Sequence, residues 1–346
     1  MIVPWFEILI FPGFLFVLGL TLLFEQIASR LYSRFDYKNK SQPFFIPLVD
    51  HFKLCFRGEV EKITFRNILQ GILLIFLFTL SLFASMILPF GIIGRFPDRI
   101  GDYGTNVGRF TGVMGIINFE GDLFLLLIIL LFAGITVFGI YWLSFNHTNY
   151  EALKIALTFM VFDIPLILAI AGPALTKNST SLSLIAEDIR TITYFNRGFG
   201  ILLLIPLGLV ISIVTLSYKF DQPHFDRLNS NKNLIEKAPF PENWKKHIWN
   251  ISMRILEFVL AGVIVSIFLG GAYFPIPIIE GYEIFAHTLN YVFKTSIVML
   301  LITVLKALTP RLKSSQLTNL ALKILSPFAV VYVMIIGGYI AIFGIN

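Results

Sequence analysis

Hydrophobic side chains along the 346-residue chain fall into eight long runs separated by shorter polar segments. The runs cover residues 4–24, 69–91, 122–144, 153–175, 198–217, 255–273, 288–308 and 319–343. Each is long enough to cross a hydrocarbon core about 30 Å thick as a helix that rises about 1.5 Å per residue. The runs lack the strict alternation of barrel strands, and backbone polar groups in lipid must pair within their own segment. The pattern therefore predicts eight transmembrane helices.

The composition agrees with a membrane protein. Apolar residues make up 56% of the chain, charged residues only 14%, and the mean hydropathy is +0.81, which lies outside the range of soluble globular domains. We expect one all-α transmembrane domain over residues 1–346. The first run contains Glu7 and lacks a basic leader, so we expect it to remain as a span and not to be cleaved as a signal peptide.

The distribution of basic residues predicts the orientation in the membrane. The odd-numbered loops and their edges carry eighteen Lys and Arg residues, whereas the even-numbered loops carry six. Because cytoplasmic loops are enriched in Lys and Arg, we expect the odd-numbered loops in the cytoplasm and both termini outside. The protein is then a multi-pass protein of the cell membrane. Its net charge of +6 follows from this topology, so we expect no nucleic-acid partner.

Few residues are suited to metal or phosphate binding. Cys55 is the single cysteine and the five histidines are scattered, so we expect no metal or cofactor to be bound by this chain alone. The glycines between Gly91 and Gly115 form no P-loop motif and follow no predicted strand. They favour a flexible external loop over a phosphate-binding loop.

Two of the predicted cytoplasmic loops, 28–66 and 218–249, are long enough to form a docking surface. Within the first, apolar side chains cover most of the helical surface of 43–62, which predicts an amphipathic helix in the membrane interface. A loop with a few lipid-touching residues is the alternative. The second mixes acidic and basic residues with Pro and Asn and has no long apolar run.

One carboxylate stands inside the fourth apolar run, in the stretch EALKIALTFMVFDIPL. A charge near the bilayer centre costs about 2.5–3.5 kcal/mol, so Asp163 must face protein or water and is a functional candidate. Lys154 lies nine residues earlier, on the opposite helix face, and cannot pair with it. Lys154 is near the end of the run, where snorkelling to the interface is the alternative to a buried role. Pro165 should bend the helix next to the carboxylate.

Other ionisable residues lie in or at the ends of the runs. Arg254 and Glu257 are three residues apart and can neutralise one another at the cytoplasmic end of the sixth helix. A structural ion pair, or snorkelling for the lysines near helix ends, is the alternative to function for each residue taken singly. Together these residues predict a buried polar track of the kind found in proton relays. Its members are Glu25, Lys154, Asp163, Arg254, Glu257, Lys294 and Lys323.

The stretch 292–327 closely resembles the seventh span, loop and eighth span of the complex I subunit 1 family. That family has a Lys entering the seventh span, then R-A-T-x-P-R-x-R-x-D-Q-L, and then W-K-x-x-L-P. The matching residues here are Lys294, Lys306, Ala307, Pro310, Arg311, Lys313, Gln316, Leu317, Lys323, Leu325 and Pro327. The resemblance extends to most of the chain and implies the same eight-span fold.

Other segments resemble the family in the expected order. Lys154 and Asp163 stand where the family has Arg and Glu, and IPLVDHFKL and FDQPHFD resemble its Q-P-x-x-D-x-x-K-L and F-D-L-P-E-A-E motifs. Ile46 replaces the family's Gln, and His224 and Asp226 replace glutamates. Such departures fall in regions that shape the quinone chamber of complex I. In these regions the chain resembles the family's relatives in membrane-bound hydrogenases and other ferredoxin-linked complexes.

The resemblance implies a non-catalytic membrane subunit of an ion-translocating oxidoreductase complex. Its implied partners are peripheral hydrogenase-like and iron–sulfur subunits, small membrane subunits and antiporter-like subunits, and the partners would carry the iron–sulfur clusters and possible NiFe centre. The implied contacts with the peripheral arm are Arg30, Arg34, Asp50, Lys53, Asp221, His224, Asp226, Lys306, Arg311, Lys313 and Gln316. The alternatives are a quinone-site subunit of an NADH or ferredoxin:quinone oxidoreductase, an independent ion transporter, and a passive scaffold.

Overall fold

The computed structural model describes most of the membrane-embedded chain. It covers residues 13–35, 49, 53, 64–89, 92–95, 111–114, 122–144, 150–177, 179–186, 199–220, 244–272, 283–309, 312 and 314–343. The helices are α1 (Phe14–Phe35), α2 (Phe65–Ser85), α3 (Asp122–Ser144), α4 (Tyr150–Val161), α5 (Asp163–Lys177), α6 (Phe199–Lys219), α7 (Trp244–Phe268), α8 (Glu283–Leu308), α9 (Ser314–Leu320) and α10 (Ser326–Phe343). A π-helical turn, Ala321–Leu325, joins α9 to α10.

The predicted all-α membrane fold is confirmed, and each of the eight apolar runs overlaps a described helix. Seven of the described helical segments are long and apolar enough to cross a membrane. The apolar segment described in α6 is shorter, Leu204–Lys219, so the count of eight spans stays a prediction, as does the position of the termini. Of the predicted interfacial helix 43–62, the structure describes only Val49 and Lys53, both helical and exposed.

Three helices extend beyond the apolar runs that the sequence predicted as spans. The first helix continues to Phe35, so Glu25, which directly follows the first run, lies within it. Helix α7, which contains the sixth apolar run, begins at Trp244, eleven residues before that run. Helix α6, which contains the fifth run, extends to Lys219. Both ends of the predicted loop 218–249 are therefore helical. Tertiary packing explains this, because Lys245 and Trp249 are buried against neighbouring helices and not exposed in a loop.

A small β-hairpin lies in the segment that the sequence predicted to be a flexible loop. Strand β1 (Ile92–Arg95) pairs antiparallel with β2 (Thr111–Met114), with Ile92 opposite Met114 and Arg95 opposite Thr111. The strands contain β-branched residues, which suit a pleated backbone. The glycines in this segment did not signal this pairing.

Helix α7 forms the centre of the bundle. It contacts α1, α2, α5, α6 and α8. The α7 span is 89% buried, against 28% for the spans of α1 and of α9–α10 at the surface. Hydroxyl side chains inside the bundle bond back to their own helix, as Ser252 does to the Ile248 carbonyl oxygen at 2.7 Å. Their polar groups are thereby satisfied without water.

Two spans depart from regular α-helix. The fourth is interrupted at Phe162, which separates α4 from α5. This agrees with the bend predicted from Pro165, which cannot donate to the Val161 carbonyl. In the last span, Ser326 N–H donates to the Ala321 carbonyl in π-helical spacing. The next residue is Pro327, whose missing amide leaves the carbonyl four residues earlier without its usual partner.

The last helix packs closely on α5 and α6 through Tyr332. A Cβ atom at Gly172 would lie 2.5 Å from the Tyr332 ring and 2.8 Å from Ile336, and one at Gly208 would lie 2.7 Å from Phe268. Side chains at these two glycines are therefore excluded. The Tyr332 hydroxyl is buried and has no hydrogen-bond partner among the described residues.

Candidate functional site: two buried carboxylates with lysine partners

Asp163 forms a buried ion pair with Lys219. Asp163 is the first residue of α5, directly after the break at Phe162, and Lys219 is the last residue of α6. The Lys219 ammonium donates to Asp163 Oδ1. The Lys219 side chain is 0% exposed and that of Asp163 14%. The break places the carboxylate at a helix N-terminus, where the helix dipole also favours negative charge.

Sequence reasoning missed Lys219. It was counted as one of the basic residues of the second cytoplasmic loop, since it follows the apolar run that ends at residue 217. Lys154, the basic residue that is nearest to Asp163 in the sequence, is exposed on α4. The conclusion that Lys154 does not pair with Asp163 agrees with the geometry. The one available signal for Lys219 was its position at the end of an apolar run, which predicts snorkelling as readily as an ion pair.

Glu257 lies at the centre of a second buried cluster. Its Oε2 accepts from Arg254 Nη1 at 2.9 Å, which confirms the ion pair predicted from their spacing. Its Oε1 accepts from the ammonium of Lys306 on α8. The side chains of Glu257 and Lys306 are only 2% and 3% exposed. Because α7 begins at Trp244, this cluster lies in the middle of the helix and not near its end as predicted.

Lys306, which the resemblance implied to be a contact with the peripheral arm, is buried in an ion pair with Glu257. It lies in the last turn of α8 and points into the bundle, where it is buried. The reason is the carboxylate of Glu257 on α7: burying one ion leaves it uncompensated, whereas burying the pair satisfies both charges. Glu257 is 49 residues earlier in the sequence, so no local sequence pattern indicates that it pairs with Lys306.

Phe220 lies beside both ion pairs. The ammonium of Lys219 is 5.8 Å, and that of Lys306 6.0 Å, from the centroid of its ring. Lys219 is also 4.4 Å from the ring centroid of Phe159. Cations within about 6 Å of an aromatic face are attracted by its quadrupole. The two clusters are thus neighbours in space, although their carboxylates are 94 positions apart in the sequence.

A narrow cleft between α1 and α8 reaches Arg254. Its lining includes Glu25, Thr21 and Thr303, and it has room for about one water molecule. The structure therefore brings Glu25 to the edge of the Glu257 cluster, as the predicted polar track requires. Next along α1, the buried side-chain oxygen of Gln26 has no hydrogen-bond partner within the described ranges.

Two predicted members of the track lie apart from these clusters. Lys323 is exposed within the π turn. Lys294 is half-buried, and its ammonium donates to the carbonyl oxygens of Leu269 and Gly271, both at 2.9 Å. These carbonyls follow the C-terminus of α7, where Gly270 and Gly271 have φ angles of 69° and 59°. A cation at this position caps the helix and complements its dipole.

Replacement of Lys294 by Met should test this capping role. The variant loses two charge-assisted hydrogen bonds, so we expect the free energy of unfolding to fall by about 1–3 kcal/mol. The measurement is SDS-induced unfolding of the purified chain, followed by tryptophan fluorescence. Lys294→Arg retains the charge and the hydrogen-bond donors, so its free energy of unfolding should fall by less. A capping residue leaves the number of ions pumped per electron unchanged, so a fall in that ratio would favour the predicted relay role.

The other predicted contacts with the peripheral arm divide into three groups. Arg30, Lys53 and Gln316 are described and exposed. Arg34 lies on α1 but its side chain is not described, and the remaining positions lie outside the described residues: Asp50, Asp221, His224, Asp226, Arg311 and Lys313. Within the described ranges, no three His, Cys, Asp or Glu side chains are grouped to hold a metal ion.

Comparison with known proteins identifies a family and several relatives. A family model described as NADH dehydrogenase matches residues 6–337. The H subunit of NADH-quinone oxidoreductase from Geobacillus sp. (strain WCH70) is 23% identical over 210 residues, and the match spans 59% of each chain. The corresponding protein of Wolbachia pipientis wMel is 26% identical over 310 residues, or 86% of this chain and 84% of the relative.

A solved structure shares the fold. The membrane-bound sulfane sulfur reductase (MBS), described as an archaeal respiratory membrane complex, contains a chain that superposes with a TM-score of 0.71. The match covers 93% of this chain and 96% of the other, at 19% sequence identity. At that identity the match is informative about the fold alone.

Proposed function

Because this chain belongs to the NADH dehydrogenase family, that of complex I subunit 1, we propose that it is the membrane anchor and coupling subunit of a complex I-like respiratory complex. It would link a peripheral redox arm to antiporter-like subunits that pump ions. The observation that carries the proposal is the pair of neighbouring buried carboxylates, Asp163 and Glu257, each bound to a lysine from another span.

The spacing of the two clusters suits electrostatic coupling. Both lysine ammonium groups lie within 6.0 Å of one ring centroid, so they are at most about 12 Å apart. At an effective dielectric constant of about 20, unit charges at that distance interact by about 1.4 kcal/mol. A charge or proton change at one cluster would therefore shift the equilibrium at the other about tenfold, which is a typical coupling free energy.

The peripheral arm in this proposal docks on the loops 28–66 and 218–249. The side chains of Arg30 on α1, Lys53 in the first loop and Gln316 near the start of α9 are exposed, which supports their place in this docking surface. The arm would hold iron–sulfur clusters and the site of electron transfer, and this chain would contribute charge and not redox chemistry. A change in protonation at Asp163 would then shift the charge equilibrium at Glu257 through the electric field, and Glu257 would act in the same way on the neighbouring membrane subunits.

The electron acceptor in this proposal is not a quinone. Ile46, His224 and Asp226 depart from the family pattern in the regions that shape its quinone chamber. In these departures the chain resembles the relatives in membrane-bound hydrogenases, so the proposed arm is of the sulfur-reductase or membrane-bound hydrogenase type, the latter with a NiFe centre. The second candidate is a quinone reductase, favoured by the similarity to the H subunit of NADH-quinone oxidoreductase.

Copurification with an affinity tag on this chain tests the proposal. From native membranes solubilised in mild detergent, we expect peripheral iron–sulfur subunits and antiporter-like subunits to elute with it, identified by mass spectrometry. The purified chain alone in liposomes should carry no proton or sodium flux, measured with a pH-sensitive dye and radioactive sodium. Flux from the chain alone would instead identify an independent transporter.

The acceptor is tested on the same preparation. A hydrogenase or sulfur-reductase arm should evolve hydrogen or reduce polysulfide with reduced ferredoxin as the donor. Quinone reduction that is blocked by quinone-site inhibitors would contradict the quinone-free assignment and establish the second candidate.

A further inference from the structure

The aromatic ring of Phe220 occupies the space next to both ion pairs. Its side chain is buried, with the residue 5% exposed, and its ring packs edge-to-face on Phe159 with centroids 5.8 Å apart and an interplanar angle of 86°. Both lysine ammonium groups lie over this ring, at 5.8 and 6.0 Å from its centroid. The group that is common to the two clusters is thus apolar.

The backbone fixes the position of this ring. Phe220 follows Lys219 directly, and its amide donates to the Leu216 carbonyl at 3.2 Å, which continues the helical pattern of α6 by one residue. The ring is held further by its edge-to-face contact with Phe159 of α4. Because Phe220 and Lys219 are adjacent, the same end of α6 places both a cation and an aromatic ring at the junction of the clusters.

An apolar ring affects protons and electric fields differently. Proton exchange between two carboxylates requires a chain of water or polar side chains, and water enters a cavity only where it finds room and polar partners. An electrostatic field needs no such chain and acts more strongly through a medium of low dielectric constant. A site that must pass a charge signal without leaking protons therefore benefits from an apolar separator.

We propose that Phe220 is a positioning residue that keeps water out from between the Asp163–Lys219 and Glu257–Lys306 pairs, so that the pairs sense each other's charge without exchanging protons directly. This proposal rests on the proposed coupling function and adds to it the residue that prevents protons from leaking between the two pairs. Removal of the ring would leave a space next to two ammonium groups, which are polar partners of the kind that water requires.

Replacement of Phe220 by Ala and by Leu tests the proposal. Both variants are assayed in the assembled native complex in sealed membrane vesicles, with reduced ferredoxin or NADH as the donor. The readout is the number of protons or sodium ions taken up per electron, from a pH-sensitive dye and radioactive sodium. This ratio is independent of how much complex assembles, so a merely structural effect would not change it.

Phe220→Ala should keep electron transfer per assembled complex but lower the ratio by about twofold or more, since the vacated space can hold water. Phe220→Leu fills most of that space with apolar atoms and should keep the ratio. An unchanged ratio in Phe220→Ala would overturn the proposal. An equal fall in Phe220→Leu would also overturn it, because the loss would then follow the cation–π contacts and not the exclusion of water.

The double variant Asp163→Asn/Lys219→Met separates failure of this inference from failure of the proposed function. If that variant loses pumping and Phe220→Ala keeps the full ratio, the carboxylate carries the coupling and only the role of the ring is wrong. If the double variant pumps normally, the proposed coupling function itself is wrong.

Discussion

Asp163→Asn is expected to abolish coupled ion pumping and also to reduce the amount of assembled complex. The first effect follows from removal of the titratable group, and we expect pumping to fall about tenfold or more, in line with coupling free energies of about 1–3 kcal/mol. The second follows because Lys219, whose side chain is fully buried, would lose its anion. Breaking a buried pair in this way typically costs about 3–5 kcal/mol.

A matched double variant separates these two effects. Asp163→Asn/Lys219→Met removes both charges at similar volume, and such replacements are often neutral for stability. We expect it to restore assembly, measured as the yield of copurified subunits, while ion uptake per electron stays low. Recovery of pumping together with assembly would instead mean that the pair serves only as a scaffold.

Glu257→Gln is expected to give the largest loss of stability among single substitutions in the bundle. Two cations, Arg254 and Lys306, share this carboxylate, and their side chains are 14% and 3% exposed. The amide would leave both without their anion in a poorly hydrated site. We expect a loss of about 3–5 kcal/mol in the free energy of unfolding. SDS-induced unfolding of the purified chain in detergent micelles provides the measurement.

The control for this prediction is Glu257→Gln/Lys306→Met. It has the same net charge in the cluster as the parent, one positive charge, so it should recover a large part of the lost stability. If the single variant differs from the parent by no more than about 0.5 kcal/mol, as an ordinary surface substitution would, then the cluster is hydrated and the description of a buried triad is wrong.

The sequence was sufficient to predict what depends on local pattern. Long apolar runs gave the helices, the three-residue spacing gave the Arg254–Glu257 pair, and Pro165 gave the break beside Asp163. Each of these depends on residues within a few positions of one another. The family resemblance also singled out Asp163 as a candidate residue, and its role remains a prediction.

The partners of the two carboxylates could not be predicted in the same way. Lys219 and Lys306 are 56 and 49 residues from Asp163 and Glu257, and only the packing of four helices brings them together. The start of α7 was missed because Lys245, Lys246 and His247 interrupt its apolar pattern. Lys245 is nevertheless buried, with its ammonium 3.5 Å from the side-chain oxygen of Gln70. A hydropathy pattern treats such residues as surface and cannot detect polar groups that satisfy one another inside a bundle.

The π turn at Ala321–Leu325 determines how the final helix is rotated about its own axis. One residue more than an α-helical turn advances every later side chain by about 100°. Tyr332 meets Gly172 and Gly208 only at that rotation. Deletion of a single residue from 321–325 would turn Tyr332 away from Gly172 and Gly208. A different side chain of the last helix would then face these two glycines, where there is no room for a Cβ atom. The number of residues in this short turn is therefore under tighter constraint than their identity.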